Sequence, residues 1–271
     1  STVERVEDVL RQEPEQEEGR KPAPALEGTL ELADVSFRYT ERSPLAVDGV
    51  SLEIPAGSQV AIVGPSGSGK STLVALIAGF EKALDGKIVL EGRDFTLSPP
   101  AQRPLSMVFQ ENNLFAHMSV TKNVGLGIKP DLRLNAEDLA SIDEALSDVG
   151  LAQYGERLPA QLSGGERQRV ALARVLVRRK PILILDEAFA SLGPGLRDEM
   201  LDLVGELTSA HSMSTLMVTH APEDALRIAE NLVFLDNGRI VLTGGASDLL
   251  TGNGDNPLIR SYLGAAIPPK K

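Results

Sequence analysis

The 271 residues are 42% hydrophobic and 24% charged, with 27 Lys and Arg against 38 Asp and Glu, a formal charge of −11. That acidity argues against sequence-independent nucleic-acid binding, which rests on many Lys and Arg contacts to phosphate, though not against a small basic site for a nucleotide. The chain has no cysteine, which excludes a disulfide scaffold, a thiol nucleophile and a Cys-based zinc site.

Residues 1–27 stand apart. STVERVEDVL suits one or two helical turns, and the following stretch is rich in Glu and Pro. Seven acids and three bases between Ser1 and Arg20 leave too little apolar surface to pack alone, so this is expected to be a linker or arm. A globular pattern starts at Gly28 and is expected to run as one domain to 265, with 266–271 as a tail. LELADVSFRY alternates apolar and polar residues as a half-buried antiparallel strand does. VSLEI is a second strand, and Pro55-Ala56-Gly57 is a turn. QVAIVG reads as a strand buried on both faces. KSTLVALIAGF is apolar on nearly all sides, hence a buried helix, and KIVLEG and SMVFQ are further strands. Residues 111–180 are expected to be mostly helical, with helices at 119–126, 136–149 and 164–179. PILILDE is another buried strand. A helix at about 195–210 precedes the strand TLMVTH, and Pro222 opens a short helix. LVFLDNGRIVLTG forms a hairpin with Asn237-Gly238 as its turn. No apolar run reaches the about 18 residues of a membrane span, and no signal peptide is visible. Strands alternating with helices predict an α/β fold with a parallel sheet, to which an antiparallel β subdomain and an inserted α-helical subdomain (about 111–180) are added.

Chemistry enters at Gly64-Pro65-Ser66-Gly67-Ser68-Gly69-Lys70-Ser71-Thr72, which fits G-x-x-x-x-G-K-[ST] between a strand and a helix. This is the phosphate loop of a P-loop NTPase. Its glycines let the backbone curl N–H groups inward onto phosphate oxygens, and the helix start adds partial positive charge. Lys70 is expected on the β- and γ-phosphates of ATP, and the Ser71 hydroxyl on Mg²⁺. Asp186, closing ILILD, is the expected carboxylate for Mg²⁺. Glu187 follows as candidate general base for the attacking water, a role typically worth about 10²–10⁴-fold in rate.

A second glycine motif, Leu162-Ser163-Gly164-Gly165-Glu166, opens a helix. Ser163 and Glu166 form a capping box. Two glycines in a first helical turn cost about 1 kcal/mol each relative to Ala, so capping alone does not favour them. They suit the close approach of a phosphate, which makes a second anion-binding helix start.

LSGGE lying between the phosphate loop and Asp186 resembles the signature of ABC ATPases, and the resemblance covers about 28–265. It implies a RecA-like P-loop core and ATP hydrolysis in a homodimer or pseudo-dimer, in which Ser163, Gly164, Gly165 and Glu166 cap the nucleotide held by the partner. It also implies transmembrane permease subunits as partners and a peripheral place on the cytoplasmic face of the membrane. Residue by residue, Tyr39 resembles the aromatic that stacks on adenine, and Gln110 the glutamine that contacts Mg²⁺ and senses the permease. His220 resembles the histidine at the γ-phosphate. His117 and His211 match nothing in the pattern. Two positions depart from it: Ala188 replaces the usual Pro, and Gly193 replaces an Asp that helps join the subunits.

The phrase LF-x-H-M-S-V-x-x-N-V resembles importer ATPases. RPLSMVFQENNLF, GLGIKP and LIAGF resemble the ATP-binding subunit of thiamine importers, which implies thiamine as cargo. Leu114, Phe115, Met118 and Val120 are either part of a groove for a permease helix or core of the helical block. ERVEDVLRQEPE followed by LELADVSFRY resembles instead the junction before the nucleotide domain of fused exporters. An excised exporter domain, or a chimera, therefore stays open as a second reading. A soluble ABC ATPase of DNA repair or translation is the third, and neither the acidic charge nor the lack of coiled-coil or zinc insertions favours it.

Overall fold

The computed structural model describes residues 27–109, 114–251 and 257–264. Residues 1–26, the expected tail at 266–271 and Gln110 lie outside the described residues.

Two sheets form. β1 (Leu30–Phe37), β2 (Val47–Ile54), β4 (Asp85–Leu90) and β5 (Arg93–Asp94) make an antiparallel sheet ordered β2-β1-β4-β5. The alternation of β1 becomes burial, with Leu30, Leu32, Val35 and Phe37 inside and Glu31 exposed. Its period slips at Ala33-Asp34, where the pairing with β2 shifts register and Asp34 takes φ 53°. The extra residue of this bulge lets both Leu32 and Val35 face the core.

The second sheet contains β3 (Gln59–Val63), β6 (Leu105–Phe109), β7 (Ile182–Asp186), β8 (Ser214–Val218), β9 (Asn231–Asp236) and β10 (Arg239–Gly245), in the order β10-β9-β3-β8-β7-β6. β9, β3, β8, β7 and β6 run parallel. β10 returns antiparallel to β9 through Asn237 (φ 47°) and Gly238 (φ 78°), the pair of positive φ values that a tight hairpin turn needs. Parallel neighbours require crossovers. The helices that supply them include α1 (Lys70–Ala78), α2 (Val120–Gly125), α3 (Ala136–Asp148), α4 (Gly164–Leu176), α5 (Pro194–Ala210) and α6 (Pro222–Ile228).

α1 is apolar nearly all round because both sheets cover it. Leu73, Val74, Leu76 and Ile77 share one core with Leu30, Leu32 and Ile88 of the antiparallel sheet and with Ile62, Ile184 and Leu216 of the parallel one. α2, α3 and α4 pack with α5 around a second core holding Val124, Ile142, Leu146, Val170, Leu183 and Val204. The helix expected at 164–179 ends at Leu176. Its last turn tightens through Arg178 N–H to Val175 O (3.1 Å) and Arg179 N–H to Leu176 O (2.9 Å), and Arg179 then turns left-handed at φ 49°. Two short helices not anticipated from sequence, α7 (Ala246–Leu250) and α8 (Pro257–Leu263), cover the outer face of β3 and β9 with Leu250 and Ile259. Among the described residues, no helix is long and apolar enough to cross a membrane.

Candidate functional site

Asp186 pairs with Phe109 on one side and Val218 on the other, and Val218 pairs with Ile62. This register brings the carboxyl ends of β6, β7, β8 and β3 into one row. The crevice beyond such strand ends is where open parallel sheets bind ligands. Gly64, Glu187 and Thr219-His220 leave the sheet side by side there. Gln110, expected on Mg²⁺, lies outside the described residues.

The loop Gly64–Thr72 wraps around the Lys70 side chain, which is only 7% exposed. Its ammonium donates to Gly64 O at 2.8 Å, Pro65 O at 2.9 Å and Ser68 Oγ at 3.4 Å. Burial lowers the Lys70 pKa, while Glu187 and Asp186 act to raise it. Two glycines are sterically required. A Cβ on Gly64 (φ 152°) would lie 2.0 Å from Leu235 O, and one on Gly69 (φ 101°) 2.3 Å from Ala46 O. Pro65, Ser66 and Gly67 form an exposed tip, Ser68 is buried, and the Ser71 side chain is exposed in the first turn of α1. Tyr39 is 61% exposed, so it is no core aromatic. Its hydroxyl shares a 2.8 Å hydrogen bond with Thr72 Oγ1, and its ring meets Phe37 edge-on at 5.0 Å. An open ring face thus stands beside the phosphate loop.

Across the row, Asp186 Oδ1 is buried and has no hydrogen-bond partner. A buried charged oxygen without a partner is costly. Desolvation, and then Glu187, raise the Asp186 pKa, with Lys70 acting in the opposite direction. A carboxylate in this state fits a divalent cation, and Mg²⁺ commonly takes only one or two protein carboxylates along with substrate phosphates. Glu187 sits at φ 47°, a strained conformation for a residue with a side chain, held by its N–H to Val218 O at 3.0 Å. Its Oε1 is 3.6 Å from Nδ1 of His220.

Groups not singled out from sequence hold these residues. Thr219 Oγ1 donates to Asp224 Oδ2 at 3.0 Å, and Arg197 grips the same carboxylate through Nε (3.0 Å) and Nη2 (2.6 Å). Thr219 Oγ1 also accepts from Ala221 N at 3.0 Å, so the turn carrying His220 is braced from below. Gln168 of α4 donates to Ala188 O at 3.1 Å, joining the signature helix to the segment after Glu187. The separations of 27 residues for Arg197 and Asp224 and 20 for Gln168 and Ala188 leave no local signal for those two contacts.

Ser163 caps α4 reciprocally with Glu166: Ser163 Oγ accepts from Glu166 N at 3.2 Å, and Glu166 Oε2 accepts from Ser163 N at 2.6 Å. These bonds to Ser163 hold the Glu166 carboxyl below its usual range. The two glycines differ. A Cβ on Gly165 would meet Leu196 Cδ1 at 2.6 Å, so its smallness serves packing against α5, whereas one on Gly164 meets only Arg167 Nη2, at 4.0 Å. Among the described residues, no hydrogen bond links Ser163–Gly165 to Gly64–Thr72. His211 pairs with Asp148 (3.4 Å) and His117 meets Phe115 edge-on.

Residues 47–190 match the ABC transporter family. The chain is 55% identical to the thiamine import ATP-binding protein ThiQ of Mesorhizobium japonicum, over 88% of this chain and 92% of the relative. It is 47% identical to the ThiQ protein of Shigella boydii, over 87% of this chain and 100% of the relative. Among solved structures, the ADP conformation of an ATP-binding cassette of an ABC transporter superposes with a TM-score of 0.78 at 27% identity, over 87% of this chain and 98% of that one. A dimeric post-hydrolysis cassette bound to ADP and Pi superposes at 0.68, also at 27% identity, over 80% and 98%. Phosphate loop, strand-end carboxylates, signature helix and these likenesses together lead to one statement: the chain belongs to the ABC transporter family, as one of its ATP-hydrolysing nucleotide-binding units.

Proposed function

We propose that the chain energises an importer whose cargo is thiamine, hydrolysing Mg²⁺-ATP between two copies of the cassette. The observation that carries the catalytic part is the strand-end row, in which the unpartnered Asp186 oxygen, the strained Glu187 with His220 beside it, and the buried Lys70 cation face one crevice. In this reading Lys70 and the loop amides hold the β- and γ-phosphates, and the open face of Tyr39 stacks on adenine. Ser71, Asp186 and Gln110 would hold Mg²⁺, which would supply positive charge to offset that developing on the transferred phosphoryl group. Glu187 accepts the proton of the attacking water, and His220 orients Glu187 and the γ-phosphate. Ser163, Gly164, Gly165 and Glu166 complete the site of the partner copy.

Glu187→Gln tests the base. ATP should bind with unchanged affinity while steady-state hydrolysis falls by about 10²-fold or more; normal turnover would remove Glu187 from the role.

The cargo follows the names of the relatives, ThiQ in each case. ATP-dependent thiamine uptake by vesicles carrying the chain with its permease and binding protein tests it, and absence of uptake would sink thiamine while leaving the ATPase untouched. For permease docking, Val120 drops out of the proposed groove, since it is fully buried with Leu114 packed on the same core. Phe115 stays 47% exposed, and Phe80 and Phe109, also exposed, meet at 6.1 Å on the same molecule. These three phenylalanines are the better anchors for a permease helix, which would seat the chain at the membrane face.

A further inference from the structure

α8 is seven residues long, too short to persist alone in water. Tertiary contacts hold it. Ile259 is buried, and the Tyr262 ring meets Phe234 of β9 edge-on at 5.4 Å, in a cluster that includes Ala61 and Val63 of β3 and Ala225 of α6. Val63 directly precedes Gly64, and α6 begins two residues after His220. The cluster therefore lies directly beneath the catalytic row.

A phenylalanine would fill this apolar pocket as well as Tyr262 does. A hydroxyl half-buried among Ala, Val and Phe side chains is unfavourable unless it has a partner. The acceptor is the backbone carbonyl of His220, to which Tyr262 donates at 3.0 Å, with the Gly64 amide also close to the hydroxyl. Of the His220 side chain, 58% is exposed, and its ionic neighbour is Glu187 at 3.6 Å. Packing does not orient such an imidazole, so its direction depends on the backbone that carries it. Thr219 braces one side of that backbone and Tyr262 the other.

The geometry points to Tyr262 as a positioning residue for hydrolysis: by holding the His220 carbonyl it fixes the imidazole against Glu187, which puts the turnover rate under the control of the C-terminal helix. This rests on the reading of His220 as a hydrolysis residue. Burial pushes the phenol up to about 12, with Glu223 and Glu187 acting in the same direction and the Gly64 amide against them, so Tyr262 remains a donor across the working range.

Tyr262→Phe removes one oxygen and keeps the ring. In the full chain, at a concentration that saturates dimer formation, kcat should fall about three- to tenfold, the range of one ordinary hydrogen bond, with KM for ATP unchanged. The effect must pass through His220. Tyr262→Phe should therefore cost nothing further in a His220→Ala background, and in the otherwise wild-type chain it should move the His220 imidazole resonance while leaving His117 and His211 in place. An unchanged kcat, an equal loss in the His220→Ala background, or an unmoved His220 resonance would overturn the proposal. His220→Ala alone keeps the two ideas apart. If it leaves turnover intact, the hydrolysis role of His220 fails and the inference with it. If it stops turnover while Tyr262→Phe does not slow it, only the inference fails.

Discussion

Asp186 shows how a candidate site residue works against the stability of its own fold. Burial raises its pKa, so between the ordinary Asp value of about 3.9 and the raised one the folded state keeps a proton that the unfolded state has lost. Stability therefore falls as pH rises through that window, and the cost persists above it. Asp186→Asn should stabilise the nucleotide-free protein by on the order of 1 kcal/mol at neutral pH, with the gain shrinking towards pH 4. Thermal melts across pH 4–7.5 check this, and the added stabilisation by Mg²⁺-ATP should be lost in the same variant. The signature glycines also separate at this scale. Gly164→Glu finds open space, so the fold should be retained or slightly firmer while turnover collapses. Gly165→Ala meets Leu196 and should lower the melting temperature as well. Equal melting of the two variants would show that Gly165 is not held by packing.

Among the elements, α1 depends on a residue far from the phosphates. Arg103 is 1% exposed, and its guanidinium donates to Leu76 O and Ile77 O at 2.7 Å each and to Ser98 O at 3.1 Å. It closes the carbonyl end of α1 with a cation, where the helix dipole favours one. Desolvation lowers its pKa to about 10, still well above neutrality. Arg103→Met, of similar bulk, strands those carbonyls and should cost about 2–3 kcal/mol in urea unfolding, with a smaller effect on ATP affinity because the N-terminal turn of α1 is untouched. The sequence RPLSMVFQ carries no sign of this: the bonds from Arg103 to α1 span 26 and 27 residues, and a buried arginine looks like a surface one in a sequence.

For the whole molecule, the proposal that Ser163–Gly165 serve the phosphate loop of a partner copy has a direct consequence. If the signature serves the partner's phosphate loop, Lys70→Ala and Gly164→Glu chains, each inactive alone, should regain turnover when mixed, because a mixed dimer contains one intact site. No regain would place the signature elsewhere. Gly193 belongs to the same question. It starts α5 without a side-chain cap, and an added Cβ there meets nothing. Gly193→Asp should therefore fit, stabilise α5 by a few tenths of a kcal/mol as an N-cap, and strengthen dimer coupling, read as steeper dependence of turnover on ATP concentration.

The strands other than the two-residue β5, the phosphate loop, the hairpin turn and the family were legible in the sequence. Local patterns carry them: apolar periodicity, glycines at fixed spacing before Lys70, and Asn237-Gly238 between two strands. The tertiary structure decided the rest. Sheet order put Gly64, Asp186 and His220 in one row. The Leu196 contact gave Gly165 a packing reason to stay small, and the core claimed Val120. Folding also brought Asp224 and Arg197 beneath the His220 turn, with Tyr262 bonded to its carbonyl. Apart from the Thr219–Asp224 bond, which spans five residues, each of these is a meeting of residues far apart in the chain, and no local pattern records which distant partner a buried polar group will find.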